Sequence, residues 1–143
     1  MKKPTKKLTD QQKTERLRKR CVALAKELAK KRDNYKCQYC GIGKPQRQVH
    51  SHHIFHEGMY KSMSADPDNL ISLCVIHHQG GFGWKSPTGF NFHNSPREST
   101  EWVMEHYPER YAELKKRSLE YIKTDYIYWT KKLEELKQYE VKE

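Results

Sequence analysis

Apolar positions recur at helical spacing in the first quarter of the chain. They follow one another at intervals of four, three and four residues: Leu17, Cys21, Leu24 and Leu28. This period predicts an amphipathic helix from about Thr9 to Arg32, and Thr9 and Gln12 have the spacing of a capping box at its start. Cys21 lies on the apolar stripe, where we expect a buried core thiol rather than a ligand or a nucleophile.

The last third of the chain is also predicted to be helical. Ser95, Pro96 and Glu98 have the pattern of a capped helix start. Pro108 predicts the start of a second helix, which we expect to continue almost to the end of the chain. Its apolar positions alternate at intervals of four and three residues: Ile122, Tyr126, Trp129, Leu133 and Leu136. Either the N-terminal helix or a second subunit, in a homodimer through the C-terminal helix, must cover this stripe, and periodicity does not choose between them.

The segment between these helices has a different pattern, with all seven glycines and only short apolar runs. Residues 48–55 are predicted to form a strand and residues 66–69 a turn. We expect the apolar residues after this turn to enter a compact core: Leu70, Ile71 and Leu73. A second turn at residues 86–89 predicts a hairpin inserted in a loop. Together these elements predict a small α+β fold.

The composition indicates that hydrophobic burial alone gives only a thin core. Of the 143 residues, 35% are hydrophobic and 32% are charged, whereas an average globular domain has roughly 45–50% apolar residues. No stretch approaches the ~20 apolar residues that span a bilayer, and the first thirty residues lack the apolar segment of a secretion signal. These features predict a cytoplasmic protein without a membrane partner, and the length excludes a second enzyme-sized domain.

The positive charge is concentrated at the N-terminus. Residues 1–32 contain 13 of the 28 basic residues but only three of the 18 acidic ones, so they account for the whole formal charge of +10. Such a basic arm indicates a polyanionic partner, because basic side chains that neutralise phosphates release counterions; a solvated helix face is the alternative interpretation. The candidate nucleic-acid contacts on this arm and in the middle segment are Lys13, Arg16, Lys19, Arg20, Lys61 and Lys85.

Two Cys/His pairs predict a metal site. Two residues separate Cys37 from Cys40, and the same spacing separates Cys74 from His77. Two such pairs can close a tetrahedral site, and three thiolates with one imidazole favour a structural zinc ion with no open position. Zinc binding would add folding free energy on the order of 10 kcal/mol, which a thin core needs. Unligated core cysteines are the alternative, whereas a disulfide framework is not expected in a chain without export signals.

The long interval between the two pairs contains a second group of polar residues. The adjacent His52 and His53 are followed by Asn69 and then by His78, which directly follows the second Cys/His pair. This order resembles the HNH endonucleases over about residues 35–106, and it is closest to their zinc-containing phage and bacterial members. The resemblance implies a zinc-stapled, treble-clef-like ββα-metal core, in which a β-hairpin and a helix surround one catalytic metal ion.

The resemblance also implies a role for each of these residues. His52 and His78 correspond to ligands of the catalytic divalent ion, which would be Mg²⁺ or Mn²⁺, or else Zn²⁺ or Ni²⁺. His53 corresponds to the general base that activates water. Asn69 corresponds to the residue that ties the intervening loop together and holds the base in its orientation.

The third metal ligand is where this sequence departs from the family pattern. Some members have a ligand four residues after the final histidine, where this chain has Phe82. A hairpin insertion could return His93 to that place, and an ordinary loop histidine is the alternative. His50 and His56 flank the histidine pair, and we expect a non-catalytic role for both. His50 shares a strand face with His52, where it could contact a phosphate or stand behind the ligands; the alternative for His56 is that it replaces either neighbour as a ligand.

The chemistry of these residue types agrees with the resemblance. An imidazole with a pKa near 6.5 can accept a proton at neutral pH, and an ion with few protein ligands keeps positions open for phosphate and water. Adjacent side chains of a strand point to opposite faces, so we expect a bend at His52 and His53.

The sequence therefore predicts a metal-dependent HNH endonuclease that hydrolyses DNA, with double-stranded DNA as the preferred substrate. It would act in the cytoplasm or, if phage-encoded, in the host cell. A non-catalytic zinc module that binds DNA or RNA is the main alternative, and a dimerising helical protein stapled by zinc is the other. The predicted parts are a basic N-terminal helix (1–33), the HNH core with its zinc (34–95) and a C-terminal helical region (96–143), all within one compact domain.

Overall fold

The computed structural model describes residues 1–80 and 90–139, and within these ranges it contains five α-helices and one two-stranded sheet. Their bounds are α1 (Asp10–Arg32), β1 (Val49–His53), β2 (Leu70–Cys74), α2 (Val75–Gln79), α3 (Pro96–His106), α4 (Pro108–Ser118) and α5 (Tyr126–Lys137). A hairpin of β1 and β2 followed directly by α2 confirms the predicted small α+β fold of ββα type. The predicted turn at residues 86–89, Phe82 and Lys85 lie outside the described residues.

The N-terminal helix begins and packs as its sequence predicts. The hydroxyl of Thr9 accepts a hydrogen bond from the Gln12 backbone N–H at 3.2 Å, and the Gln12 side chain accepts one from the Thr9 N–H at 2.9 Å. This reciprocal capping box fixes the first turn of α1. Cys21 is completely buried, and its thiol donates to the Trp129 carbonyl at 3.4 Å, which confirms its place in the core.

Helix α1 covers the buried residues of α5 within one chain, whereas the homodimer stays a prediction. The buried residues of α5 are Trp129, Leu133 and Leu136. They form one hydrophobic cluster with the small residues on the inner face of α1, which are Cys21, Val22, Ala25 and Ala29. Small side chains on one helix let the indole and leucines of the other approach closely.

The prediction of one continuous C-terminal helix is wrong. Helix α4 ends at Ser118 and α5 begins at Tyr126, after a segment without regular structure. The reason is a new helix start, because the carboxylate of Asp125 accepts a hydrogen bond from the Tyr128 N–H at 2.9 Å and caps α5. Ile122 therefore lies outside the helix and is 43% exposed, and Tyr126 is 54% exposed in the first turn.

The capped start predicted for α3 is only partly correct. The helix begins at Pro96 as expected, but the Ser95 side chain makes no capping hydrogen bond. The first turn is closed by the Ser95 backbone carbonyl, which accepts from the Ser99 N–H at 2.9 Å. Pro96 has no N–H that needs a cap, so the rigid proline is sufficient to start this helix. Pro108 starts α4 as predicted.

Strand β2 lies between two hydrophobic clusters. It pairs antiparallel with β1, with Val49 opposite Cys74 and His53 opposite Leu70. Leu70 packs into the cluster of α1 and α5, while Ile71 and Leu73 pack into a second cluster with residues of α2 and α3. All five residues of β2 are buried. None of the helices in the described ranges is long and apolar enough to cross a membrane.

Candidate metal centre and adjoining histidines

The two predicted Cys/His pairs come together in a cluster that we call the thiolate cluster, formed by Cys37, Cys40, Cys74 and His77. Its four ligand atoms lie within 4.8 Å of one another. The Sγ atoms of Cys40 and Cys74 are 3.8 Å apart, and Nδ1 of His77 is 3.2 Å from Sγ of Cys74. Zinc–sulfur bonds of about 2.3 Å in a tetrahedron place two sulfurs about 3.8 Å apart. The donor set and its spacing therefore fit a zinc ion.

Local backbone geometry explains how the first pair of ligands is presented. The Gly41 N–H donates to the Cys37 carbonyl at 2.8 Å, and Gly41 has a φ of 77°, which closes a tight turn directly after Cys40. A Cβ atom at Gly43 would lie 1.9 Å from the Tyr35 carbonyl oxygen, so the two chain segments approach as closely as only glycine allows. The second pair is presented by the end of β2 and the first turn of α2.

Burial and a neighbouring guanidinium act in opposite directions on the thiols of the thiolate cluster. Burial raises the pKa of Cys37 to about 12, so without a positive charge nearby this side chain is a thiol at neutral pH. Nη1 of Arg47 lies 3.7 Å from Sγ of Cys40 and 3.6 Å from Sγ of Cys74. Burial opposes ionisation of Cys74, but hydrogen bonds from the His77 backbone and from Arg47 lower its pKa overall. Arg47 is a contact that the sequence reasoning missed.

Three imidazoles gather beside the thiolate cluster, and we call them the histidine cluster: His50, His52 and His78. The ring of His78 lies 5.4 Å from that of His52 and 5.1 Å from that of His50, between centroids. His50 and His52 lie two residues apart on β1, so they share one face of the strand. His78 follows His77 on α2, so one short helix contributes to both clusters.

The histidine cluster is composed of neutral imidazoles at physiological pH. Burial lowers the pKa of His52 to about 3, and repulsion from His78 contributes to this shift. Burial together with the neighbouring His50 lowers the pKa of His78 to about 4. A neutral imidazole has a free lone pair, which is the form that binds metal ions. In the part of the chain that the structure describes, only the thiolate cluster has three or more ligand atoms within 4.8 Å, so the histidine cluster is the more open of the two.

His93 lies next to α2 through its backbone. Its N–H donates to the His78 carbonyl at 3.1 Å, and the Phe92 N–H donates to the His77 carbonyl at 2.8 Å. The imidazole of His93 is exposed, and its charge contributes to the lowered pKa values of His52 and His78. These bonds place the backbone of His93 next to α2, and its role as the third ligand stays a prediction.

His53 is oriented by a backbone carbonyl. Its Nε2 lies 2.8 Å from the oxygen of Ser64. A carbonyl only accepts hydrogen bonds, so we assign the proton to Nε2, which leaves the lone pair on Nδ1. Burial lowers the pKa of His53, against the opposing effects of the Ser64 carbonyl and Glu57. The expected bend is absent from β1, because His52 and His53 both pair in register with β2.

Asn69 closes the loop between the two strands. Its side chain is fully buried, and Nδ2 donates to the carbonyls of Phe55 at 3.0 Å and Met63 at 3.1 Å. Its Oδ1 accepts from the Phe55 N–H at 2.8 Å. Met63 immediately precedes Ser64, whose carbonyl holds the ring of His53. Asn69 therefore ties both ends of the loop to the base of β2.

The turn that carries Asn69 is itself fixed by two partly buried guanidinium groups. Arg32 donates to the Pro67 carbonyl at 2.7 Å and to the Leu70 carbonyl at 2.7 Å. Arg110, on α4, donates to the Asp68 carbonyl at 2.6 Å. Charged hydrogen bonds to backbone carbonyls are stronger than neutral ones, so this turn is held rigidly from two helices.

The predicted basic contacts are exposed, apart from Lys85, which lies outside the described residues. Exposed are Lys13, Arg16, Lys19, Arg20 and Lys61. Two lysines that the sequence did not single out act electrostatically on the histidines. The charge of Lys26 contributes to the lowered pKa values of His53 and His78, and that of Lys30 to the lowered pKa of His50. Because the two lysines are four residues apart, they lie on the same face of α1, and this spacing was visible in the sequence.

Comparison with known proteins confirms the resemblance that the motif order predicts. Residues 37–79 match the family model of the HNH endonucleases. No curated protein and no solved structure matches the chain. The match includes both Cys/His pairs, the adjacent histidines, Asn69 and His78, and it ends before His93. It indicates a nuclease-type function in general, with nucleic acid as the substrate.

Proposed function

We propose that this chain is a metal-dependent endonuclease that hydrolyses phosphodiester bonds of DNA. The observation that carries the proposal is the approach of His52 and His78 to 5.4 Å between ring centroids, beside a His53 whose ring is fixed by a carbonyl. A module that only binds nucleic acid has no need for neutral, paired imidazoles next to an oriented one.

His53 acts in this proposal as the general base. With its Nε2 proton donated to the Ser64 carbonyl, Nδ1 accepts a proton from the attacking water. The carbonyl stabilises the imidazolium that results, in the manner of a positioned hydrogen-bond acceptor. His52 and His53 are the last two residues of β1 and lie on opposite faces of the strand, so the proposal requires that the substrate reach both faces at this end of the strand.

His52 and His78 would hold the catalytic divalent ion, with His93 as the third ligand that the sequence predicts. When bound, such an ion stabilises negative charge on the phosphate and on the leaving oxygen. Imidazole donors favour Mn²⁺, Ni²⁺ or Zn²⁺ over Mg²⁺, because Mg²⁺ prefers oxygen ligands. The neutral state of His52 and His78 fits this role without further deprotonation.

The thiolate cluster has a different role in the proposal, which is structural zinc binding. All four donors are protein side chains, so a tetrahedral ion there has no position left for substrate. Zinc would fix the start of α2 relative to the turn that carries Cys37 and Cys40. Because His78 directly follows His77, zinc binding by His77 would also position His78, the proposed ligand of the catalytic ion.

Double-stranded DNA is the substrate we propose, bound in part by the basic face of α1. Exposed cations such as Arg16 and Arg20 would contact phosphates, and Lys26 and Lys30 would do so next to the histidines. Affinity should therefore fall steeply as salt increases, and the enzyme would act where DNA is present, in the cytoplasm of its cell or of a phage host.

Nicking of supercoiled plasmid tests the proposal. Zinc-loaded protein is assayed with Mg²⁺, Mn²⁺, Ni²⁺ and added Zn²⁺, and the His53→Ala variant is compared with His56→Ala, an exposed histidine in the loop that follows β1. Loss of the base should reduce cutting by about 10²–10⁴-fold, with unchanged DNA affinity by fluorescence anisotropy and unchanged thermal unfolding.

Three outcomes separate the hypotheses. Full cutting by His53→Ala would remove His53 as the base. DNA binding without nicking under any of the four ions would favour the non-catalytic zinc module. Loss of cutting in the His56→Ala control as well would show that the loop, rather than the base, is what the first variant disturbs.

A further inference from the structure

His50 makes the shortest nitrogen contact of the histidine cluster, although the sequence assigns it no catalytic role. Its Nδ1 lies 3.0 Å from Nδ1 of His78, and the two rings are inclined by 80°. The ring of His52, two residues further along the same strand face, approaches His78 from the neighbouring position. Three imidazoles from two elements thus converge on one side of the hairpin.

Two arrangements produce this separation of nitrogens. One is a hydrogen bond, in which one Nδ1 donates a proton and the other accepts it. The other is a shared ion, because adjacent ligands of an octahedral site with bonds of about 2.1 Å lie about 3.0 Å apart. In the second arrangement both nitrogens use their lone pairs, and the protons lie on the Nε2 atoms.

We infer that His50 is a further ligand of the catalytic ion, which it binds through Nδ1 next to Nδ1 of His78. The inference rests on the proposed function and deepens it, since it names a ligand that strand β1 supplies from within the described fold. His50 and His52 are two residues apart, so both reach the same face of the hairpin without any change of backbone. An ion held between His50 and His78, with His52 two residues further along the same strand face, keeps open positions for phosphate and water.

Calorimetric titration of zinc-loaded protein with Ni²⁺ or Mn²⁺ measures this second site directly. His50→Ala should weaken the second-ion affinity by roughly 10–100-fold. The matched control is His106→Ala, because that exposed imidazole stacks on Trp102 of α3 and takes no part in the histidine cluster. The control should bind the second ion as the wild type does, and both variants should keep the wild-type zinc content and unfolding temperature.

A second measurement needs no variant and separates ligation from a hydrogen bond. In protein labelled with ¹⁵N-histidine, a second equivalent of Zn²⁺ should shift the Nδ1 signals of His50 and His78 together, at the same stoichiometry. A shift of His78 without His50, wild-type affinity in His50→Ala, or no second-ion binding by the wild type would each overturn the inference. Plasmid nicking by the wild type judges the proposed function separately, since binding of the second ion without cutting would sink that function and leave the ligand assignment intact.

Discussion

Two adjacent residues of one short helix, His77 and His78, face two clusters of very different character. His77 joins three cysteines, and the four ligand atoms lie within 4.8 Å of one another. His78 joins His50 and His52 at centroid distances of 5.1 and 5.4 Å, with no sulfur donor. The first cluster is closed by protein on all sides of an ion, whereas the second leaves room around it.

This contrast shows how one small core can carry both a closed and an open set of metal donors. A closed set of thiolates binds zinc tightly enough to contribute to folding, but offers no position for substrate. Imidazoles bind an ion more loosely and leave coordination positions open, but they add little to the stability of the fold. Because α2 extends for only five residues, fixing His77 also fixes His78.

The largest effect is expected when the stabilities of His77→Ala and His78→Ala are compared. His77→Ala should remove the larger part of the zinc contribution to folding, which is roughly 10 kcal/mol in small zinc domains. His78→Ala should cost only about 1 kcal/mol, because its half-buried ring gives up one nitrogen contact to His50 and one ring contact to His52. Thermal unfolding by circular dichroism, together with zinc content per chain, measures both.

The two variants should also differ in which metal ion they lose. His78→Ala should retain one tightly bound zinc and lose the second ion and plasmid nicking. Equal loss of stability in the two variants would contradict the division of roles, and so would a His77→Ala protein that unfolds at the wild-type temperature with no zinc bound.

A smaller effect is expected from Asn69, which braces the histidine side by hydrogen bonds instead of by metal. Asn69→Ala leaves buried polar groups of Phe55 and Met63 without partners, which should cost roughly 2–5 kcal/mol. The loss should be the same size in zinc-loaded protein, and cutting should fall because the Ser64 carbonyl no longer holds His53. Chemical denaturation at saturating zinc measures the free energy of unfolding.

The control for Asn69→Ala is Asn94→Ala. Asn94 is exposed, and its backbone N–H, which the substitution keeps, donates to Oδ1 of Asn91. It should change the free energy of unfolding by less than about 0.5 kcal/mol. If Asn69→Ala were equally mild, the loop would be held by the arginines at its turn instead, and Arg110 would be the residue to substitute next.

Much of this site could be predicted because spacing fixes which residues can share an ion. The two Cys/His pairs needed only their intervals, and the α1 helix needed only its apolar period and the Thr9 cap. His50 could not be assigned, since its partner His78 is distant in sequence and strand register decides which histidines meet. Arg47 could not be assigned for the same reason, because its position depends on how the turn after Gly43 folds back.

The C-terminal prediction failed for a different physical reason. A heptad-like period across residues 122–136 is compatible with one helix, but Asp125 offers a local cap that starts a new helix inside it. Only the residues after that cap pack on α1. Periodicity identified Trp129, Leu133 and Leu136 correctly, and a local hydrogen bond overrode it for Ile122 and Tyr126.

The smallest effect is expected from Arg47, whose charge lies beside the thiolate cluster without being a ligand. Arg47→Gln removes a cation 3.6 Å from Sγ of Cys74 and 3.7 Å from Sγ of Cys40, which should weaken zinc binding by about tenfold and leave plasmid nicking at saturating zinc unchanged. Competition with a coloured chelator measures the affinity, and Arg97→Gln, on an exposed guanidinium paired with Glu101, is the matched loss of charge. If both variants lost zinc equally, net charge would be the cause and not contact with sulfur. If Arg47→Gln abolished nicking with zinc still bound, Arg47 would belong to the DNA-binding surface, and the separation between the two clusters would not hold at this residue.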